Sequence, residues 1–197
     1  MTPRAFVIGI GGGSASGKST IAARLRDRLA PRRVEVINQD RYFLPSGRLP
    51  RHTGPSGRAW LDHNHPDSFD GDRLRADLAA AREGGADVVI AEGILLLADA
   101  EARALMDLKL FVEADADERI VRRIRRNLAW GADLDGICDF YLESVRYRHQ
   151  EFCQPTREYA DLIVPGGQHE AARTEAALEE VCRRVEAWER DGAGGPP

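Results

Sequence analysis

A chain of 197 residues, 43% hydrophobic and 30% charged, has the apolar content for one folded core at the size of a single domain. With 32 acidic against 28 basic side chains and a formal net charge of -4, it has no global positive field to draw it to nucleic acid or an anionic membrane surface. No run approaches a membrane span, and residues 6–10 are too short an apolar stretch for a signal peptide. Cys138, Cys153 and Cys182 lack metal spacing and read as reduced thiols, so a cytoplasmic location is expected.

In chain order, "AFVIGI" is a β-branched run closed by glycines and predicts a buried strand. Residues 12–19 then satisfy G-x-x-x-x-G-K-[ST]: Gly12, Gly13, Ser14, Ala15, Ser16, Gly17, Lys18 and Ser19. Glycines let successive backbone N–H groups turn inward around phosphate oxygens. The following helix, with Ile21, Leu25 and Leu29 four apart, adds its positive end. Lys18 is placed to reach the β and γ phosphates, Ser19 to ligate Mg²⁺, and Thr20 to continue the cradle. ATP or another nucleoside triphosphate, with Mg²⁺, is therefore the expected cofactor pair. The motif alone does not separate a kinase from a simple NTPase.

"RVEVINQD" predicts a second strand ending at Asp40. A carboxylate there would accept a proton from an attacking hydroxyl or hold a magnesium-bound water; the plainer reading is a turn or N-cap aspartate. Residues 44–66 carry three Gly and four Pro and predict a long loop that covers a site or is mobile. "DSFDGDRLRADLAAAREGG" is a helix stopped by Gly84 and Gly85, and "ADVVIAEGILL" is a strand ending near Glu92. Glu92 fits a strand-end carboxylate that supports Mg²⁺, or else a structural hydrogen-bond acceptor for the cradle.

"DLKLFVEA" is a further strand, and Asp115 and Glu118 have capping-box spacing at the start of the next helix. That helix bears Arg122, Arg123, Arg125 and Arg126. Arginines three and four apart share a face, and guanidinium groups match phosphate oxygens bidentately; a solvated charge run is the plain alternative. Residues 133–154 read as helical, "ADLIVPGG" as a strand and "EAALEEVCRRVEAW" as a closing helix. Apolar strands alternating with helices predict an α/β fold with a mostly parallel central sheet covered on both faces, whose site lies beyond the carboxyl ends of the strands. The expected organisation is one domain over 1–190, an acceptor-side loop at 44–66, a small lid at about 122–140 and a flexible tail at 191–197.

Taken together, "GGGSASGKST", "INQDRYF", "HPDSFD", "VVIAEGILLL", "LKLFVEADADERIVRRIRRN" and "EFCQPTREYADLIVPGG" resemble the uridine kinase-like nucleoside kinases of the phosphoribulokinase/uridine kinase group, over about residues 6–167. The resemblance implies Asp40 as general base for a ribose 5′-hydroxyl and Glu92, with Ser19 and Asp40, as the Mg²⁺ support. It implies an α/β, three-layer P-loop kinase fold with a mostly parallel central sheet, Tyr42 and Phe43 in the nucleoside pocket, Arg123 on the acceptor side and Arg126 on the donor phosphates. Two departures stand out. Asn64 occupies the place of an aspartate that holds the ribose diol, with Asp62 and His63 near enough to substitute. The lid reads "NLAWGADLDG", with one residue fewer and no arginine where the group carries a basic turn, and its Trp130 either packs the lid or stacks on a base. The expected activity is phosphorylation of a nucleoside, uridine or cytidine. The alternatives are another ribosyl or vitamin-like alcohol (nicotinamide riboside, a pantothenate-like compound) and a non-catalytic NTP-binding module. A small-molecule acceptor is the expected partner, and a homo-oligomer is compatible with the sequence.

Overall fold

Strand β1, Phe6–Gly12, is buried at all seven positions, which only a strand covered on both faces can be. In the computed structural model, which describes residues 4–192, it is the centre of a five-stranded sheet. The other strands are β2 (Val34–Asn38), β5 (Val88–Glu92), β6 (Leu108–Glu113) and β7 (Leu162–Pro165), in the order β2-β5-β1-β6-β7. Every pairing in this sheet is parallel. The register sets Glu92 beside both Ile10 and Asn38, so the carboxyl ends of β1, β2 and β5 form one edge.

Successive side chains of β1 point to opposite layers. Phe6, Ile8 and Ile10 pack with Ile21, Leu25 and Leu29 around α1 (Lys18–Arg28) and with Leu178, Val181 and Val185 of α7 (Ala171–Arg190). Val7 faces the opposite layer, with Leu74 and Leu78 of α2 (Gly71–Glu83) and Ala102 of α3 (Ala100–Ala104). Asp70 caps α2 by accepting the Arg73 N–H at 3.1 Å. The expected three-layer α/β fold is the one observed.

Three local expectations change. Residues 44–66 are not irregular throughout: β3 (Arg51–Thr53) and β4 (Ala59–Leu61) pair as an antiparallel hairpin. Three-residue strands are too short to display a period of two in sequence. The hairpin docks on α5 (Leu134–Phe140) and the π turn that follows it. Trp60 lies 5.3 Å from Phe140 between ring centroids, and Ser56 Oγ donates to Glu143 Oε2 at 2.8 Å.

Helix α4 (Ala116–Ala129) lacks the expected capping box, because the Asp115 side chain makes no cap bond and Glu118 accepts from Arg122 at 2.9 Å. The predicted helix over 133–154 is interrupted by two π turns, Tyr141–Val145 and His149–Cys153, flanking a short α6 (Arg146–Arg148). Of the expected tail, residues 193–197 lie outside the described residues, and Asp191 closes α7. Among the described residues no helix is long and apolar enough to cross a membrane, and the three cysteines are free thiols.

Leu25 is fully buried between α1 and the sheet. Leu25→Ala removes buried methyl groups and leaves a cavity, so equilibrium denaturation is expected to show a loss of about 2–5 kcal/mol.

Candidate active site

The turn from β1 into α1 builds the phosphate cradle. Gly12 and Gly17 take φ of 136° and 104°, and Ala15 takes 63°. A side chain at Gly12 would place its Cβ 2.4 Å from the Val112 carbonyl oxygen, so only glycine lets the turn lie against β6. Gly13 lies against Arg119 and His149, and Ser16 is fully buried. Lys18 is buried and donates to the Gly13 carbonyl at 2.9 Å. Burial pushes its ammonium pKa down, while Glu92 and Asp40 nearby favour its charged form.

Glu92 ties three elements together. One of its oxygens accepts the Ser19 hydroxyl at 2.9 Å and the Asn38 amide at 2.7 Å. Asn38 in turn accepts the Asp40 backbone N–H at 2.7 Å, which fixes the chain that carries the second carboxylate. Burial raises the Glu92 pKa; Lys18 and the Ser19 hydrogen bond pull it back. A hydroxyl and two carboxylates on one side of a phosphate cradle are hard oxygen donors of the kind Mg²⁺ prefers. Among the described residues no three His, Cys, Asp or Glu side chains form a metal cluster by themselves. The donor set therefore fits a cation that takes its remaining ligands from phosphate oxygens and water.

Helix α4 lies over the cradle. Arg123 Nη1 and Arg126 Nη2 donate to the same Ser14 hydroxyl, at 3.1 and 3.3 Å. Two guanidinium groups converging on one neutral oxygen make a site of high positive potential. The Arg123 pKa is pushed down to about 10, first by burial and then by Arg126. Arg122 binds the Gly166 carbonyl at 2.8 Å and reaches the Ala15 carbonyl at 3.4 Å, so it clamps the cradle backbone. Arg125 does not line the cavity.

A cavity of about 930 Å³ runs across these elements. Ser14, Ala15, Gly17, Lys18, Ser19, Thr20, Glu92 and Arg126 line it, and so do Asp40, Phe43, His63, Asn64 and Arg123. Trp130 and Phe140 add aromatic surface to its wall. Trp130 is 75% exposed and stands with its ring centroid 5.1 Å from the Arg126 guanidinium.

Two expected acceptor-side residues face elsewhere. Tyr42 is buried in the core, where its hydroxyl donates to Asp77 at 2.8 Å. Burial, then Asp77, pushes its pKa up to about 12. It follows Asp40 by two residues, but the 3₁₀ turn Gln39–Tyr42 rotates it inward and leaves Phe43 at the cavity. Asp62 is fully buried and accepts Arg148 Nε at 2.7 Å, so its carboxylate is committed. Sequence reasoning missed Phe140 on the cavity wall and three residues that support the site from behind: Asn38 through Glu92, Arg148 through Asp62 and His149 against Gly13. Asn38 sits in the quoted "INQD", and its strand-end position was the available signal. The others lie in a helical run where nothing local distinguishes them.

The phosphoribulokinase/uridine kinase family model matches residues 63–172. The uridine kinase of Chloroflexus aggregans is 36% identical over 92% of this chain and 95% of its own length. The chain belongs to the phosphoribulokinase/uridine kinase family. A second family relative, the uridine kinase of Brevibacillus brevis, is 38% identical over 82% of this chain and 85% of its own. Among solved structures, shikimate kinase from Bacteroides thetaiotaomicron covers 92% of this chain and 98% of its own, with a TM-score of 0.53 at 16% identity. A possible uridine kinase from Bacillus stearothermophilus covers 83% of this chain and 90% of its own, with a TM-score of 0.50 at 16% identity. These two show the P-loop kinase fold. Family membership makes the protein a phosphotransferase with a hydroxyl acceptor.

His149 accounts for a pH dependence of stability. It packs against the cradle and meets Gln154 at 3.1 Å. Burial, then Arg119, pushes its pKa down to about 4. Between that value and the usual ~6.5 the unfolded chain binds a proton that the folded chain refuses, so this residue's contribution to stability rises with pH across the window. With about 1 kcal/mol retained after solvent screening, His149→Gln should narrow the gap in melting temperature between pH 4.5 and 7 by roughly 2–4 °C. Thermal scans of both proteins at the two pH values check it.

Proposed function

We propose that this protein transfers the γ-phosphoryl group of ATP to the 5′-hydroxyl of a nucleoside, with uridine or cytidine as acceptor. The observation that carries the reading is the shared cavity of Asp40, Lys18 and the aromatic wall of Phe43, Trp130 and Phe140. A donor cradle, a carboxylate base and flat apolar surface for a base ring then lie along one path. Aromatic faces stack on any nucleobase, and the uridine kinase names of the family relatives point the same way.

In this reading the cradle N–H groups and Lys18 hold the β and γ phosphates. Asp40 accepts the proton of the acceptor hydroxyl, whose oxygen bonds to the γ-phosphorus as the bridging bond to ADP breaks; the proton then leaves Asp40 for solvent. Arg126 and Arg123, already directed at Ser14, meet the charge that spreads over the transferred group. Ser19, Glu92 and Asp40 would hold Mg²⁺, which when bound neutralises phosphate charge and polarises the phosphoryl oxygens. Helix α4, its following turn and the segment 63–64 line the cavity, with the hairpin packed behind Phe140; in this reading they keep water, the competing acceptor, away from the reacting groups.

One observation favours a second acceptor class. Asn64 lines the cavity where a carboxylate would grip a diol, and the nearby Asp62 is bound to Arg148. A neutral amide holds a diol less strongly, which suits another small ribosyl or vitamin-like alcohol.

Asp40→Asn is expected to lower kcat by about 10²–10⁴-fold, with affinity for Mg²⁺-free ATP unchanged within about threefold; steady-state kinetics and calorimetric titration of Mg²⁺-free ATP check it. Retained kcat would remove Asp40 from the chemistry. A panel of nucleosides and vitamin-like alcohols with labelled ATP is expected to show transfer to uridine or cytidine. Transfer only to another alcohol would select the second class.

A further inference from the structure

Asp62 and Arg148 are 86 residues apart in sequence and meet behind the acceptor wall. The Asp62 side chain has no exposed surface and that of Arg148 has 15%. A buried ion pair of this kind is held only while both charges remain, because either alone is left in a poor solvent.

The two oxygens of Asp62 serve different elements. Oδ2 accepts Arg148 Nε at 2.7 Å, while Oδ1 accepts the backbone N–H of Asn64 at 2.9 Å. The second bond is an Asx turn, an aspartate fixing the backbone two residues on. Asp62 is tethered by its own backbone as well: its N–H donates to the Pro50 carbonyl at 2.9 Å, and its carbonyl accepts the Ser68 hydroxyl. Arg148 is held in turn by Glu151 at 2.5 Å and by the Phe152 ring, 5.3 Å from its guanidinium.

Asn64 lines the main cavity, and it also lines a second, small cavity into which Arg148 faces. The side chain that meets the acceptor is thus one hydrogen bond from Asp62 and two contacts from the helical segment that carries Arg148.

The geometry points to Arg148 as a positioning residue for acceptor recognition: by orienting the Asp62 carboxylate it fixes the turn that aims Asn64 into the acceptor end of the cavity. This rests on the nucleoside-kinase reading for the role of Asn64, but the coupling itself is a property of the fold. The charge of Asp62 is spent on Arg148, so the acceptor meets a neutral amide from Asn64 and no second carboxylate from this loop.

Hydrogen–deuterium exchange on the full chain tests the coupling without an acceptor. Arg148→Met is expected to speed exchange of the segment 61–68 at least tenfold and leave the cradle segment 8–20 within twofold. The double variant Asp62→Asn, Arg148→Met removes both charges and keeps an oxygen for the Asn64 N–H, so it should return to within threefold of the unmodified protein. In turnover with uridine and cytidine, Arg148→Met should raise the nucleoside KM at least tenfold, with kcat and the ATP KM within threefold, and the double variant should recover most of that loss. If Arg148→Met does not fold, Arg148→Lys replaces it, with at least a threefold change in both readouts.

Unchanged exchange at 61–68, or equal loosening of 61–68 and 8–20, overturns the proposal; so does a nucleoside KM within twofold of the unmodified protein. If the unmodified protein phosphorylates neither nucleoside, the nucleoside reading fails while the exchange result still decides the coupling.

Discussion

One carboxylate oxygen of Glu92 receives both the Ser19 hydroxyl and the Asn38 amide. Through it the helix that follows the cradle, the end of β5 and the end of β2 are held to one point. The contact depends on parallel register, since Glu92 pairs with Ile10 on one side and Asn38 on the other. A slip of one residue would turn every side chain of the strand to the opposite layer. Glu92 would then leave the edge, and Asp40, fixed through Asn38, would lose its place beside Lys18.

The positive charge above this edge is arranged differently. Arg122 is consumed by carbonyls and by Glu118, whereas Arg123 and Arg126 share Ser14. Two guanidinium groups on one hydroxyl repel each other, which is part of why the Arg123 pKa falls. An anion between them would remove that repulsion, so the same tension that disfavours the pair alone favours phosphate. With no arginine in the turn after α4, Trp130 beside Arg126 is the prominent side chain there, and that turn meets the cavity with a ring in place of further charge.

Much of the fold was legible because its signals are local. The buried strands read as apolar runs, α1 as a four-residue repeat, and the cradle as a motif set between strand and helix. Gly12 and Gly17 follow from backbone angles that only their position in the motif demands. The hairpin at 51–61 and the π turns were not legible. The first is held by contacts with Phe140 and Glu143, eighty or more residues on, and the second inserts residues that leave the helical composition unchanged.

Sequence alone determined which chemical groups reach the carboxyl edge of the sheet: the cradle, Lys18, Ser19, Asp40 and Glu92 all stand at ends of recognisable strands, where chain direction leaves them no other edge. Tertiary structure decided how each group is spent. Tyr42 went to the core through the twist of one 3₁₀ turn, and Asp62 went to Arg148 because burial of a carboxylate requires a partner charge. Asn64 was left at the cavity. Partnership between residues far apart in sequence has no local pattern, so only the packed molecule could assign it.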